Sequence, residues 1–251
     1  MFVDVHSHLY FKDFDKDRDD VIKRAEVAGV VTIINAGVDH ASNLAALSLA
    51  EKYPVVKATL GIYPTEVAKM SDKALDDEIA FIRKQKNNII GVGEVGLDFK
   101  ETTDEEGKQK QIAGFKKILT SLEDLDMPFI IHSRKAEREC IDILEELKIK
   151  KVNFHCFCGK FKLVKRIEEN GWTASLPANI DKSQQFQGVA ELLSIGNILT
   201  ETDAPYLTPR GELRSEPSFI PETIKTIATI KKMDVSEVQK NIFLNYQRLF
   251  M

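Results

Sequence analysis

At 251 residues with 43% hydrophobic content, the chain can bury a full core, and α/β barrels of about 250 residues commonly form one domain. A net charge of -4 excludes a protein that coats duplex nucleic acid through a broadly basic surface, while a small, locally basic site stays compatible with it. Cys140, Cys156 and Cys158 show no disulfide-framework spacing, the start lacks a signal-peptide pattern, and no apolar stretch approaches the ~18 residues of a membrane span; a cytoplasmic protein with no membrane partner is expected.

The first β-rich run, Phe2 to Val5, leads into His6-Ser7-His8. Residues i and i+2 of an extended strand share a face, so both imidazoles can reach one ion. A helical stretch, Asp17 to Ala28, precedes the second run, Val30 to Ala36, and Ala41 to Tyr53 precedes the third, Val55 to Gly61. After the helix Lys73 to Lys86, the fourth run, Ile89 to Glu94, closes on a carboxylate. Lys108 to Leu125 leads to the fifth run, Pro128 to His132, and Glu137 to Lys148 to the sixth, Lys151 to His155. Phe161 to Asn170 leads to the seventh, Trp172 to Leu176, and Ser183 to Ser194 to the eighth, Asn197 to Thr202, followed at once by Asp203. Two helical stretches, Pro221 to Lys232 and Ser236 to Phe250, complete the pattern.

Short strands alternating with helices throughout predict an α/β fold, a TIM (β/α)8 barrel forming a single domain over 1-251, with its active site at the C-terminal ends of the strands. His6, His8, Glu94, His132, His155 and Asp203 all fall at such ends, on strands one, four, five, six and eight. Polar loop residues would scatter over both rims; these converge on one mouth. Six ligand-type residues suit two ions that share a bridging carboxylate. In that arrangement His6 and His8 hold the first ion with Asp203, His132 and His155 hold the second, and Glu94 bridges. Mixed imidazole and carboxylate ligation suits zinc, manganese, iron or cobalt, and magnesium less naturally unless substrate phosphate completes its shell. Coordinated water loses a proton near pH 7, at a pKa of about 7 rather than 15.7, and becomes a nucleophile. Asp203 is the best placed group to accept that proton.

Asp4-Val5-His6-Ser7-His8-Leu9, Gly93-Glu94-Val95-Gly96-Leu97-Asp98, Ile131-His132-Ser133-Arg134, Phe154-His155-Cys156-Phe157 and Glu201-Thr202-Asp203-Ala204-Pro205-Tyr206-Leu207 together resemble the successive signature segments of the TatD family of metal-dependent nucleases, in the amidohydrolase-like superfamily. The resemblance spans nearly the whole chain in the right order. It implies a TIM-type barrel, one or two divalent ions, and phosphodiester hydrolysis, often as a 3′ to 5′ exonuclease on single-stranded DNA or RNA. It also implies a bridging role for Glu94 and a catalytic role for Asp203. Two departures stand out: Tyr63 where relatives usually carry a substrate-facing histidine, and Arg214-Ser215-Glu216-Pro217 where they often show Arg-Asn-x-Pro.

Around the ligands, Asp98 and Glu201 are candidates to orient imidazoles from behind, and Asp98 can equally cap a loop. Arg134 and Arg210 are candidates for phosphate, while Tyr63, Phe157 and Tyr206 can stack on splayed bases or pack the mouth. Cys156-Phe157-Cys158 reads as packing, because a closed thiolate site needs four ligands and no second cysteine pair exists. His40 reads as a surface residue at a helix start. The expected enzyme is a monomeric divalent-metal-dependent deoxyribonuclease with nucleic acid as substrate. The alternative is an amidohydrolase or esterase acting on a carbonyl substrate, including an aminoacyl ester. Many such barrels bridge their metals with a carboxylated lysine on the fourth strand; Glu94 in that place favours the nuclease. A metal-bound adaptor without turnover is the least favoured reading, since every ligand is retained.

Overall fold

The computed structural model describes residues 1–251. Its strands are β1 (Phe2–Ser7), β2 (Val30–Ala36), β3 (Val56–Leu60), β4 (Gly91–Gly96), β5 (Phe129–His132), β6 (Val152–Phe154), β7 (Thr173–Leu176) and β8 (Ile198–Thr200). They pair in parallel in sequence order around one sheet. The last seam carries no strand ladder. It closes through Thr200 Oγ1 donating to the Val3 carbonyl at 2.8 Å and, beyond the strand, through a bridge between Ser7 and Ala204. The His8 N–H donates to the Ala204 carbonyl and the Asp203 N–H to the His6 carbonyl, at 2.8 and 2.9 Å. The expected TIM (β/α)8 barrel is therefore the observed architecture, nearly closed, with β8 joined to β1 at the mouth.

The helices are α1 (Arg18–Val27), α2 (His40–Lys52), α3 (Pro64–Lys69), α4 (Asp72–Lys84), α5 (Glu105–Leu122), α6 (Glu137–Glu146), α7 (Phe161–Glu169), α8 (Gln184–Leu192), α9 (Ile220–Lys231) and α10 (Val235–Phe250). Side-chain caps start several of them: Asp39 with Ser42 at α2, Ser71 at α4 and Asp104 at α5 each accept from a first-turn N–H. The short α3 has no counterpart among the expected helices. Pro64 at its first position sets the helical φ without sacrificing an intrahelical bond. Val3, Val5, Ile33, Ile34, Val92, Ile131 and Phe154 are fully buried in one continuous apolar cluster between strands and helices. Each such side chain contributes roughly 1.5–3 kcal/mol relative to exposure.

Strand ends differ from expectation where ligands matter. β1 runs on through Ser7 and β4 through Gly96, so His6 sits inside its strand rather than after it, and Glu94 inside its strand rather than at the end. β4 takes this course because its neighbours lie very close. A Cβ on Gly96, whose φ is +142°, would collide with the His132 carbonyl oxygen, and one on Gly61 with the Glu94 backbone.

Candidate metal centre

The seam between β1 and β8 gathers the first group. His6 Nε2 and His8 Nε2 are 3.2 Å apart, and both face Glu94 Oε2, at 3.4 and 3.7 Å, and Asp203 Oδ1, at 3.6 and 3.4 Å. The one-residue spacing, with His6 in β1 and His8 directly after it, puts both rings on the interior face, and the closing backbone bonds bring Asp203 alongside. Asp203 adopts a left-handed φ of +51°, and its carbonyl accepts the Tyr206 N–H in a turn. Asp tolerates that conformation better than most residues, and a local cost of about 1–3 kcal/mol persists where surrounding structure holds a functional group in place.

The second group comes from β5 and the residue after β6. His132 Nδ1 lies 2.6 Å and His155 Nε2 3.0 Å from Glu94 Oε1, and the two nitrogens are 3.2 Å apart. Glu94 thus divides its two oxygens between two imidazole pairs. Glu94, Asp203, Asp98 and Glu201 have no lysine or arginine partner; the groups able to carry positive charge that face them are imidazoles. Burial works against ionising Glu94, yet His155, His132 and His6 hold its carboxyl well below the usual range. Burial likewise opposes charge on His155, but Glu94 and Glu201 carry its pKa well above the ordinary histidine value. His8 and His132 are raised in the same way, against burial, by Asp203 and by Asp98 with Glu94 respectively. His6 is lowered by burial and by neighbouring His155. A buried, anion-rich pocket that attracts positive charge onto its imidazoles fits divalent cations.

Outer partners make the imidazoles suitable ligands. His8 Nδ1 lies 2.9 Å from the Ala36 carbonyl, which can only accept, so that nitrogen carries the proton and Nε2 keeps its lone pair. His132 Nε2 lies 3.0 Å from Asp98 Oδ2, which leaves Nδ1 as the ligand atom. Asp98 is fully buried, and although burial opposes it, His132 and the Glu101 N–H lower its pKa to about 2. Glu201, also fully buried, accepts Ser175 Oγ at 2.5 Å and the Cys156 N–H at 2.8 Å, and lies 3.7 Å from His155 Nδ1. The Nδ1 atoms of His6 and His155 are buried with no hydrogen-bond partner. Asp4, which sequence reasoning passed over, receives the Thr202 N–H and hydroxyl at 3.0 and 2.6 Å and so ties β1 to the segment carrying Asp203. Its signal was a carboxylate inside the apolar run Phe2-Val3-Asp4-Val5.

The centre opens into a cavity of about 780 Å³ whose lining includes Phe11, Tyr63, Glu101, Arg134, Phe186 and Tyr206. Arg134 is half-exposed, with Glu101 its one acidic partner at 3.3 Å. Tyr206 is 55% exposed beside the buried metal-ligand candidates. Phe157, expected as a stacking residue, is instead fully buried against Phe154, because the left-handed turn at Cys156 sends the following side chain back into the core. Arg210 also departs from expectation: it lies on the exposed loop after Leu207, outside the cavity, where its backbone N–H reaches Asp181. His40 opens α2 and pairs with Glu78 at 2.7 Å, and it does not line the cavity.

A (β/α)8 barrel that presents four histidines and two carboxylates at its C-terminal mouth defines the class of metal-dependent hydrolases. Within that class the chain belongs to the TatD related DNase family, whose model matches residues 3–251. It is 35% identical over 249 residues to an uncharacterized metal-dependent hydrolase of Methanocaldococcus jannaschii, covering 99% of this chain and 96% of that one. It is 30% identical over 261 residues to the 3′-5′ ssDNA/RNA exonuclease TatD of Erwinia tasmaniensis, covering 98% of each. The crystal structure of a TatD homologue from Escherichia coli superimposes with a TM-score of 0.90 at 24% identity, over 99% of this chain and 97% of that one, a likeness of fold.

Proposed function

We propose that this chain is a divalent-cation-dependent nuclease that hydrolyses phosphodiester bonds of single-stranded DNA or RNA from the 3′ end. The observation that carries the reading is the division of Glu94, with Oε1 on His132 and His155 and Oε2 on His6 and His8. Two cations of the zinc, magnesium or manganese type would be held there, the first by His6, His8 and Asp203, the second by His132 and His155, with Glu94 shared. When bound, such ions acidify water and offset the charge that develops on phosphoryl oxygens.

The chain's own residues do the rest. Asp203 is the proton acceptor for the attacking water: burial disfavours its charge, but His8, His155 and His6 keep its carboxylate ionised. Arg134, at the cavity wall beside His132, meets the phosphate in exchange for its surface pairing with Glu101. Tyr206 offers an exposed ring face to an unpaired base. Asp98 fixes the imidazole of His132 by a hydrogen bond, and the Glu201 carboxylate lies 3.7 Å behind that of His155. We place the protein in the cytoplasm as a monomer, acting as one catalytic domain over 1–251. Its three free cysteines suit a reducing compartment, and no helix is long and apolar enough to cross a membrane.

The test is an assay of 3′-labelled and 5′-labelled single strands with and without chelator, run beside Asp203→Asn. Shortening from the 3′ end that needs metal and vanishes in the variant is expected. Failure to cleave under any added divalent ion would sink the proposal.

A further inference from the structure

Tyr63 lines the cavity, and its hydroxyl is engaged by two side chains at the edge of the centre. It donates to Asp98 Oδ2 at 2.9 Å and lies 3.2 Å from His132 Nε2, which donates to the same Oδ2 at 3.0 Å. A phenol carries a single proton, and the 2.9 Å contact commits it to Asp98. Asp98 Oδ1 is held in turn by the N–H groups of Lys100 and Glu101, both at 2.9 Å. His132 differs from the other three imidazoles in presenting Nδ1 rather than Nε2 to Glu94. Its ring rotation is therefore set from the Nε2 side, where Asp98 and Tyr63 are its polar partners. The Tyr63 ring also tilts against the His132 ring, with centroids 4.7 Å apart.

We propose that Tyr63 is a positioning residue for the second cation: its hydroxyl pins Asp98, Asp98 pins His132, and this chain of contacts sets the affinity of that position independently of the first. The proposal rests on the two-cation reading above. A phosphate contact through the same hydroxyl would require it to leave Asp98, so positioning and substrate contact are opposed roles that experiment can separate.

Tyr63→Phe removes the oxygen and keeps the ring. Titration of Mn²⁺ into the purified chain without nucleic acid, followed by calorimetry, is expected to show the second ion bound about 3- to 10-fold more weakly and the first unchanged. Asp98→Asn weakens the same ion further, and Tyr63→Phe added to it has no additional effect, because one set of contacts carries both. With metal saturating, KM for an oligonucleotide stays at the wild-type value. Unchanged affinity for both ions with a raised KM overturns the proposal and assigns the hydroxyl to substrate. Additivity of the two substitutions, or a single Mn²⁺ site in the wild type, overturns it as well. Absence of cleavage of any strand counts against the nuclease reading alone, since the Mn²⁺ titration stands without it.

Discussion

The two halves of the centre are built differently around one carboxylate. On the β1 and β8 side, two imidazoles from the end of one strand and the residue after it meet Glu94 and Asp203 at 3.4–3.7 Å, and the outer partner of His8 is a neutral backbone carbonyl. On the β5 and β6 side, imidazoles from two strands approach Glu94 at 2.6 and 3.0 Å, and buried carboxylates, Asp98 and Glu201, stand behind them. Anionic backing makes an imidazole a stronger donor than a carbonyl does. The difference teaches that ligand identity alone does not set affinity; what lies behind each ligand does. It follows that the second position should respond more to changes outside the ligand set.

The most damaging way to break the comparison is Glu94→Ala, which removes the group common to both halves. Turnover is expected to fall by at least about 10³-fold, and metal analysis should show fewer than two ions per chain; an unchanged stoichiometry would refute the bridge. Next comes Glu201→Gln, which keeps shape and removes the charge behind His155. Affinity at the second position should drop about 10- to 100-fold while the first is unaffected, as measured by competition with a chelator. Equal weakening at both positions would show that the halves are not independent.

Smaller effects appear with pH, and the two halves should respond with opposite sign. Burial pushes Asp4, at the seam, up to about 8, against its three hydrogen-bond donors, whereas Asp98 is held down to about 2. A folded value above the unfolded one gives stability that is complete at low pH and lost as pH rises through about 8. For Asp4, then, the metal-free chain should melt lower at pH 9 than at pH 6, and Asp4→Asn should reduce that slope. A folded value below the unfolded one gives stability present above about pH 4 and lost as pH falls toward 2. Acid should therefore loosen the Asp98 side first, with the His132 ring resonances in an NMR titration broadening before those of His6. The reverse order would contradict the assignment of opposite shifts.

Much of this centre was legible in the chain. Alternation placed His6 and His8 on one face, and the β-rich runs put Glu94, His132, His155 and Asp203 near strand ends that a barrel brings to one mouth. Phe157 and Arg210 were not legible as a buried and a remote residue, because their directions depend on a left-handed turn at Cys156 and on the path of the loop after Leu207. Asp4 escaped notice because its partner, Thr202, is 198 positions away. Helix α3 escaped because fewer than two turns are too short to show a helical period.

By itself the sequence determined which side chains could ligate, which face of each strand they occupy, and that strands and helices alternate around a barrel, since these follow from residue type and the two-residue period of a strand. Only the tertiary structure decided how Glu94 splits its oxygens, which nitrogen each histidine offers, and that Tyr63 serves Asp98. Those are matters of a few tenths of an ångström between segments far apart in the chain. They are settled by close packing and by the need of every buried polar group for a partner.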